Sequence, residues 1–316
     1  MQYRSLGHSG AKVSVIGLGT NRFGAGHVPQ DEVNRILACA LDLGINFLDS
    51  ADVYQGGRSE ETIGAALQGP LKGKRSQFVI ATKYVSKTGE GPNDRGASRL
   101  HLYDAVDASL RRLQTDHIDL YYVHSWDPGT PVEEMMRGLD DIVRAGKVRY
   151  LGASNFMAWQ LARANLLAEL RGWSPFVVIQ SHYHMLERSL ERELIPYCAD
   201  QKVGLVPYFP LAGGFLTGKY KRGQPAPAGS RGENNPYVQG YMTDANYDLV
   251  ERLSGWAEQR GHNISELAHA WLFHRPEVSS VISGATKMEQ LQQNAKAVDW
   301  SLTPAEFEEV TGMLGK

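Results

Sequence analysis

Seven short apolar runs in this sequence end in polar side chains, and these are the residues whose types could do chemistry. In chain order they are Asp49, Lys83, His124, Ser154-Asn155, Gln180, Tyr208 and Ser283-Gly284. A polar group at the end of a buried strand costs free energy unless it is paired or used. A carboxylate, an ammonium and an imidazole hold, donate and accept protons in enzymes, so these positions predict acid-base chemistry.

Each of these residues also has a purely structural interpretation. Asp49 and Lys83 could form an ion pair that plugs the mouth of a barrel, and His124 could be a hydrogen-bonded core histidine. Asn155 and Gln180 could cap loops. Under that interpretation the seven apolar runs would all end in polar residues by coincidence. The convergence of these polar residues on one face of the fold favours a functional site instead.

The elements that position these residues are apolar runs that alternate with helical patterns along the chain. The runs predict strands at 13–18, 45–48, 78–82, 118–123, 149–153, 176–179, 204–207 and 278–282. Helices are predicted from about 33 and from about 60, and at 102–113, 132–145, 158–170, 190–199 and 289–297. Gly44 suits the C-terminal cap of the first helix. Strict alternation implies parallel strands, and eight repeats predict an α/β-class (β/α)8 TIM barrel over residues 1–316.

Two segments depart from the even spacing. Residues 1–12 contain the turn signal His8-Ser9-Gly10 and predict a short N-terminal β-hairpin. Residues 208–246 are rich in Gly, Pro and Asn and predict a long loop after the seventh strand. Long loops inside compact domains are usually functional or disordered, so we interpret this one as a flap over the site. No linker argues for a second domain.

Composition limits the function classes. The formal net charge is −2, and Lys and Arg are scattered, which argues against a nucleic-acid partner. Cys39 and Cys198 lie in apolar helical patterns and are expected to be buried thiols. No signal peptide or spanning segment is evident, so we expect a soluble, cytoplasmic protein without a membrane partner. His182 and His184 lack a third ligand, so no metal is expected, and a homo-oligomer is left open.

Three segments resemble the aldo-keto reductase family. The run from Gly44 to Tyr54 looks like the family signature that carries the catalytic Asp and Tyr. Ile80-Ala81-Thr82-Lys83 and the run from Tyr121 to Asp127 match the next two catalytic positions. The similarity covers essentially the whole chain, and its details resemble the bacterial branch related to potassium-channel β subunits. It implies an NADPH-dependent reductase of aldehydes and ketones with the catalytic residues Tyr54, Lys83, Asp49 and His124.

Carbonyl reduction explains why the family needs these residue types. Hydride addition leaves negative charge on oxygen, and Tyr54 would donate the proton there. Lys83 within ~4 Å of the hydroxyl could contribute about 4 kcal/mol and lower the Tyr pKa by up to ~3 units, while burial opposes the shift. We therefore expect a smaller net fall. Asp49 would keep Lys83 charged, and His124 would donate a hydrogen bond to the substrate oxygen.

The resemblance also implies a binding site for NADPH, with NADH the less favoured cofactor. Its residues would be Gly19, Thr20, Asn21, Asp49, Ser154, Asn155, Gln180, Tyr208, Phe209, Pro210, Leu211, Gly213, Leu216, Gly218, Lys219, Gly284, Thr286, Lys287, Gln290 and Asn294. The small-molecule carbonyl substrate would contact Phe23, Tyr54, Tyr84, His124 and Trp126. No GxGxxG fingerprint follows the first strand, which argues against a Rossmann dehydrogenase.

Three positions depart from the family pattern. Asn21 stands where relatives often carry Trp, Phe209 where they usually carry Ser, and Gln290 where many carry Arg. The last difference leaves Lys287 as the expected cation for the 2′-phosphate, which favours NADPH. Two other functions stay open: an NADPH-binding, redox-sensing regulatory subunit with slow turnover, and an unrelated metal-dependent barrel hydrolase.

Overall fold

The computed structural model describes residues 1–24 and 26–315, so the predicted domain boundary at 316 lies outside the described residues. The strands are the hairpin pair β1 (Tyr3–Ser5) and β2 (Lys12–Ser14), then β3 (Ile16–Gly19), β4 (Phe47–Asp49), β5 (Val79–Tyr84), β6 (Ile118–Val123), β7 (Val148–Ser154), β8 (Phe176–His182), β9 (Gly204–Tyr208) and β10 (Val281–Gly284). The last eight are parallel and close into one barrel in the order β10-β3-β4-β5-β6-β7-β8-β9, which confirms the predicted (β/α)8 TIM barrel.

Helices surround the barrel. They are α1 (Gln30–Asp42), α2 (Arg58–Gln68), α3 (Arg99–Leu113), α4 (Val132–Arg144), α5 (Ala158–Arg171), α6 (Leu194–Gln201), α7 (Arg231–Asn234), α8 (Pro236–Gln239), α9 (Asp244–Glu258), α10 (Ile264–Phe273), α11 (Met288–Lys296) and α12 (Pro304–Met313). The predicted cap at Gly44 is confirmed: its φ is 73°, its N–H bonds the carbonyl of Leu41, and the N–H of Ile45 bonds that of Ala40. This pair of bonds is a Schellman motif, which turns the chain directly into β4.

Alternation along the strands builds two core layers. Phe47, Ala81, Leu120 and Val206 belong to a small cluster inside the barrel. Residues one position away, such as Leu48, face the larger cluster between the barrel and the helices. Because successive side chains on a strand point to opposite faces, the same alternation decides which polar residues reach the barrel mouth.

The N-terminal hairpin closes the bottom of the barrel. Leu6 and Val13 are fully buried and pack with the interior cluster. Gly7 has a φ of 58°, and a Cβ there would come within 1.9 Å of the Val177 carbonyl oxygen, so only glycine fits. The prediction that residues 13–18 form one strand was wrong. Val13 pairs in the antiparallel hairpin, and the first barrel strand begins at Ile16.

The last barrel strand also begins later than predicted. Val278 forms only an isolated bridge to Leu205, and regular pairing with β3 starts at Val281. The apolar run in the sequence includes both, so its composition could not separate the bridge from the strand.

The segment after β9 is more regular than the predicted loop. It contains a 3₁₀ helix at Ala212–Thr217, the short helices α7 and α8, and then the longer helices α9 and α10. Asn263 and Glu266 form a capping box at the start of α10. Among the described residues, no helix is long and apolar enough to cross a membrane.

Candidate active site

Lys83 is the centre of the polar cluster at the barrel mouth and is fully buried. Its Nζ lies 2.8 Å from both carboxylate oxygens of Asp49 and donates to the Ser50 carbonyl oxygen at 2.7 Å. It also donates to the Tyr54 hydroxyl at 3.3 Å. The ammonium is thus fixed between one anion, one carbonyl dipole and one phenol.

Asp49 has a further partner on the far side of the barrel. The Gln180 side chain donates from Nε2 to Asp49 Oδ1 at 2.8 Å, and both residues are buried. The carboxylate therefore accepts charge-assisted hydrogen bonds from an ammonium and an amide. Hydrogen bonds to a charged group are stronger than those between neutral groups, so the geometry of Lys83 is well determined.

Strand register brings these side chains together although they are far apart in sequence. Asp49 on β4 is the register partner of Ala81 on β5, and Lys83 is two residues further along the same face. Ser154 and Gln180 are partners on β7 and β8. Interior-facing positions at the C-terminal strand ends thus form one polar layer above the apolar interior.

The Tyr54 hydroxyl reaches Lys83 because a tight turn follows β4. The Asp52 N–H donates to the Lys83 carbonyl at 3.1 Å, which ties the turn to β5. Gln55, Gly56 and Gly57 then have φ values of 52°, 64° and 89° before α2 begins. This left-handed run strains Gln55 and turns the chain sharply after Tyr54, as is common at functional sites.

The two proton-holding groups have shifted pKa values. Burial alone would lower the pKa of Lys83, but the charge of Asp49 and then that of Tyr54 raise it above its ordinary value. Lys83 is therefore charged at neutral pH. Burial raises the pKa of Tyr54, and Lys83 only partly offsets this effect. The expected net fall was wrong, because desolvation of the phenolate outweighs the attraction of the ammonium.

His124 follows β6 and lies beside Tyr54, with ring centroids 6.0 Å apart and the planes nearly perpendicular. Burial, and then the charge of Lys83, lower its pKa to about 3. The imidazole is therefore neutral at neutral pH and carries one N–H donor. Its Nδ1 lies 3.4 Å from the Ser86 hydroxyl, a long contact. If Ser86 donates, the proton of His124 is on Nε2.

A second group of polar residues lies along the ends of β7 and β9. Asn155 has a φ of 56°, and its Nδ2 donates to the His124 carbonyl at 3.0 Å and to the Ser154 hydroxyl at 3.1 Å. The Tyr208 hydroxyl donates to Asn155 Oδ1 at 2.9 Å. These bonds join Ser154, Asn155 and Tyr208, three of the predicted cofactor-binding residues, to the His124 loop.

The segment after Tyr208 has a backbone suited to an anion. Phe209, Ala212, Gly213, Gly214 and Gly218 all have positive φ values. Repeated left-handed residues direct N–H groups into concavities that bind phosphates. Leu211 is half-buried, whereas the side chains of Pro210 and Leu216 are buried, so the last two would take part only through their backbone.

Cations lie close to this backbone segment. Lys219 is exposed, and a Cβ at Gly214 would come within 2.9 Å of its Nζ. Arg231 on α7 stacks its guanidinium 5.1 Å from the centre of the Phe209 ring. Burial and then the charge of Arg22 lower the pKa of Arg231. A nearby anion would offset both effects, because it stabilises the charged guanidinium. Arg231 was not predicted from the sequence, because it follows a Gly/Pro-rich stretch with no strand end to mark it.

The last group of predicted cofactor-binding residues lies at the end of β10 and after it. Gly284 and Lys287 are exposed, and Asn294 on α11 is half-buried. Gln290 accepts bonds from the Thr286 N–H at 2.8 Å and the Thr286 hydroxyl at 3.1 Å, so its side chain braces the turn.

The predicted sites near β3 are only partly accessible. Gly19 and Asn21 are half-buried, and the Asn21 carbonyl accepts a bond from Gln55. Thr20 is fully buried, and its hydroxyl contacts the Asp49 carbonyl and the Ser59 hydroxyl.

Two residues expected in the substrate pocket lie elsewhere. Tyr84 follows Lys83 on β5, so it points to the outer face, where it is fully buried and stacks on Tyr121 at 5.3 Å. Phe23 is fully buried in the layer between barrel and helices. Trp126 is half-buried and packs edge-on against Phe156 at 5.2 Å and the exposed Trp159 at 5.7 Å.

Three side chains near the site were not anticipated as a group. His182 stacks on Tyr208 with ring centroids 5.4 Å apart, and the Tyr237 hydroxyl of α8 lies 2.7 Å from His182 Nε2. His184 Nε2 lies 2.9 Å from His182 Nε2. These contacts fasten the segment after β9 to the end of β8. In the described part of the chain, no three His, Cys, Asp or Glu residues cluster as metal ligands do.

Comparisons with known proteins place this geometry in context. The model of the Aldo/keto reductase family matches residues 15–314. The chain is 39% identical over 307 residues to the probable voltage-gated potassium channel subunit beta of Arabidopsis thaliana, covering 95% of this chain and 92% of that protein. It is 37% identical to an uncharacterized oxidoreductase of Bacillus subtilis (strain 168), covering 96% and 92%. It is 34% identical to the L-glyceraldehyde 3-phosphate reductase of Escherichia coli (strain K12), covering 95% and 88%.

Proposed function

Because the chain belongs to the aldo/keto reductase family of oxidoreductases, we propose that it reduces aldehydes or ketones with NADPH and that Tyr54 donates the proton. The observation that carries the proposal is the contact of a charged, fully buried Lys83 with the Tyr54 hydroxyl at 3.3 Å. A Lys–Asp ion pair with a purely structural role would not require a phenol in contact with the ammonium.

The cofactor supplies the hydride, and the residues of this chain manage the charge that hydride addition leaves on the substrate oxygen. The raised pKa of Tyr54 keeps the phenol protonated at neutral pH, as a proton donor must be. Lys83 stabilises the phenolate formed after donation, and Asp49 keeps Lys83 charged. Neutral His124 offers a hydrogen bond to the carbonyl oxygen without adding charge.

Two features of the segment after β9 support a phosphate-bearing cofactor. Left-handed residues between Phe209 and Gly218 form a concave backbone, and Lys219 and Arg231 lie beside it. We assign NADPH over NADH because Lys287 is exposed at the start of α11, where it could reach a 2′-phosphate. Ser154, Asn155 and Gln180 would hold the carboxamide, and Tyr208 would stack on the nicotinamide.

The first test compares NADPH oxidation by the wild type and Tyr54→Phe over a panel of aldehydes, followed by cofactor absorbance. We expect the variant to lose about 10²–10⁴-fold in kcat, because a positioned proton donor contributes that much. Cofactor binding, measured by fluorescence titration, should persist in the variant. Equal turnover by the two proteins would exclude Tyr54 as the donor.

A regulatory, NADPH-binding subunit with slow turnover is the second candidate. The similarity to a protein named as a potassium channel β subunit favours it. The same assay distinguishes the two functions. Tight NADPH binding with negligible wild-type turnover across the panel would favour the subunit.

For the substrate we propose an aromatic or apolar carbonyl compound, because Trp126 presents a half-buried ring two residues after His124 in the chain. Trp126→Ala should lower kcat/KM for aromatic aldehydes about fivefold relative to short-chain aldehydes, since a large apolar contact is lost. Leu170→Ala, at an exposed position at the far end of α5, serves as the control. An unchanged ratio in the Trp126 variant would exclude this substrate preference.

A further inference from the structure

A second polar region lies on the outer side of the barrel wall, away from the proposed substrate site. A cavity of about 370 Å³ opens between α3 and the loop before it. Exposed residues, among them Thr88, Asp104 and Arg111, line its solvent side. Asp52 and His101 line it as well, and both are buried.

Asp52 is the unusual residue in this cavity. Its side chain is 3% exposed, and neither carboxylate oxygen has a hydrogen-bond partner among residues 1–24 and 26–315. The Tyr121 hydroxyl, the Tyr84 hydroxyl and His101 Nε2 are also buried without partners in that part of the chain. A lone buried carboxylate is costly, so an arrangement like this one needs an explanation.

The charges around Asp52 disfavour its ionisation. Burial, and then the repulsion of Glu60, raise the pKa of Asp52 to about 7, although the charge of Arg112, the backbone N–H of Val53 and the charge of Lys83 act in the opposite direction. Arg112 does not bond Asp52 directly, because its Nε donates to Glu60 at 2.6 Å. The titratable groups facing Asp52 or its cavity are Glu60 on α2, Lys83 on β5, Tyr121 on β6, Asp94 on the loop before α3, and His101, Asp104, Asp107, Arg111 and Arg112 on α3.

Asp52 is coupled to the proposed proton donor through the backbone and through charge. Its N–H bonds the Lys83 carbonyl at 3.1 Å, and Tyr54 follows two residues later in the same turn. Burial and the charge of Asp49 disfavour the Tyr54 phenolate, Lys83 favours it, and a negative charge on Asp52 adds to the effect of Asp49. Asp52 and Lys83 therefore act on Tyr54 with opposite signs from opposite sides of the wall.

We propose that Asp52 is a positioning residue whose ionisation state sets the acidity of Tyr54 from the outer side of the barrel wall. This role rests on the proposed function of Tyr54 as proton donor. When Asp52 is a neutral acid, Tyr54 is the stronger acid and reduction is faster. When Asp52 releases its proton through the cavity to solvent, Tyr54 becomes the weaker acid and reduction slows.

The kinetic test is the pH dependence of kcat for aldehyde reduction in the wild type, Asp52→Asn and Asp104→Asn. The wild-type kcat should fall about threefold as pH rises through about 7, because a charged Asp52 makes Tyr54 a weaker proton donor. Asp52→Asn should keep the low-pH rate without that step. Asp104→Asn, which removes an exposed carboxylate from the same cavity, should behave as the wild type. A step of wild-type size in Asp52→Asn would overturn the proposal.

A second measurement does not depend on turnover. The absorbance of the Tyr54 phenolate is measured as a difference between two proteins that differ only by Tyr54→Phe. This difference is titrated with pH once in the wild-type background and once in the Asp52→Asn background. Tyr54 should ionise at a lower pH in the Asp52→Asn background, and identical titrations would overturn the proposal. A shifted titration without any carbonyl reduction would leave the coupling intact and exclude the proposed function.

Discussion

On the inner side of the barrel wall, Lys83 is fully buried and bonded to Asp49, Ser50 and Tyr54. On the outer side, Asp52 is almost as deeply buried, but its carboxylate lacks a partner among the described residues. One backbone hydrogen bond separates these two environments, because the Asp52 N–H bonds the Lys83 carbonyl. The comparison shows that burial alone does not set a charge state. Pairing keeps Lys83 charged, and its absence leaves Asp52 able to titrate near neutral pH.

Lys83→Met should produce the largest effect, because it removes the cation from the paired side. Asp49 would be left as a buried charge without its main partner, which costs about 3–5 kcal/mol in the free energy of unfolding. We expect kcat to fall at least about a hundredfold, since Tyr54 loses the charge that stabilises its phenolate. Denaturant unfolding and steady-state kinetics measure the two effects.

The double variant Asp49→Asn with Lys83→Met is the matched control. It removes both charges and should recover most of the stability but none of the activity. Recovery of activity would contradict the role assigned to Lys83.

Asp52→Asn should change the free energy of unfolding less than Lys83→Met does, and in the opposite direction. The folded-state pKa of Asp52, about 7, is above its unfolded value of 3.8. Its contribution to stability is therefore full below about pH 4 and is lost as pH rises to about 7. Three pKa units correspond to at most about 4 kcal/mol. Asp52→Asn should thus gain stability relative to the wild type as pH rises across this window.

The measurement is urea unfolding of the wild type, Asp52→Asn and Asp104→Asn at several pH values between about 4 and 8. Asp104→Asn should follow the wild type. A stability difference for Asp52→Asn that does not change with pH would mean that Asp52 has the same protonation state in the folded and unfolded chain.

The barrel and the main residues of its inner polar cluster could be predicted from the sequence. The barrel followed from alternating apolar runs, and Gly44 from its place after an amphipathic helix. Asp49, Tyr54, Lys83 and His124 were predicted because residue type and strand end agree at those positions. The boundaries at Val13 and Val278 failed because each apolar run continues into an element with different pairing.

What the sequence could not give depends on distances across elements. The sign of the Tyr54 pKa shift depends on how completely the phenol is buried, which no spacing reveals. The placement of Tyr84 was available from strand alternation, since its neighbour Lys83 faces inward. The lack of a partner for Asp52 could not be predicted from the sequence, because it depends on Glu60 and Arg112 pairing with each other instead of with Asp52.

The smallest expected effects come from removing one neutral donor from a buried carboxylate on each side. Gln180→Leu removes the amide bonded to Asp49 at 2.8 Å, and Thr82→Val removes the hydroxyl bonded to Glu60 at 2.5 Å. Each should cost about 1–3 kcal/mol in the free energy of unfolding. Only Gln180→Leu should lower kcat, because only Asp49 is bonded to Lys83. Thr82→Val leaves every charge in place. If the outer side of the wall affects Tyr54 through charge and not through its hydrogen bonds, this variant should change kcat less than about twofold. A larger loss of activity in Thr82→Val would mean that the two sides are mechanically coupled.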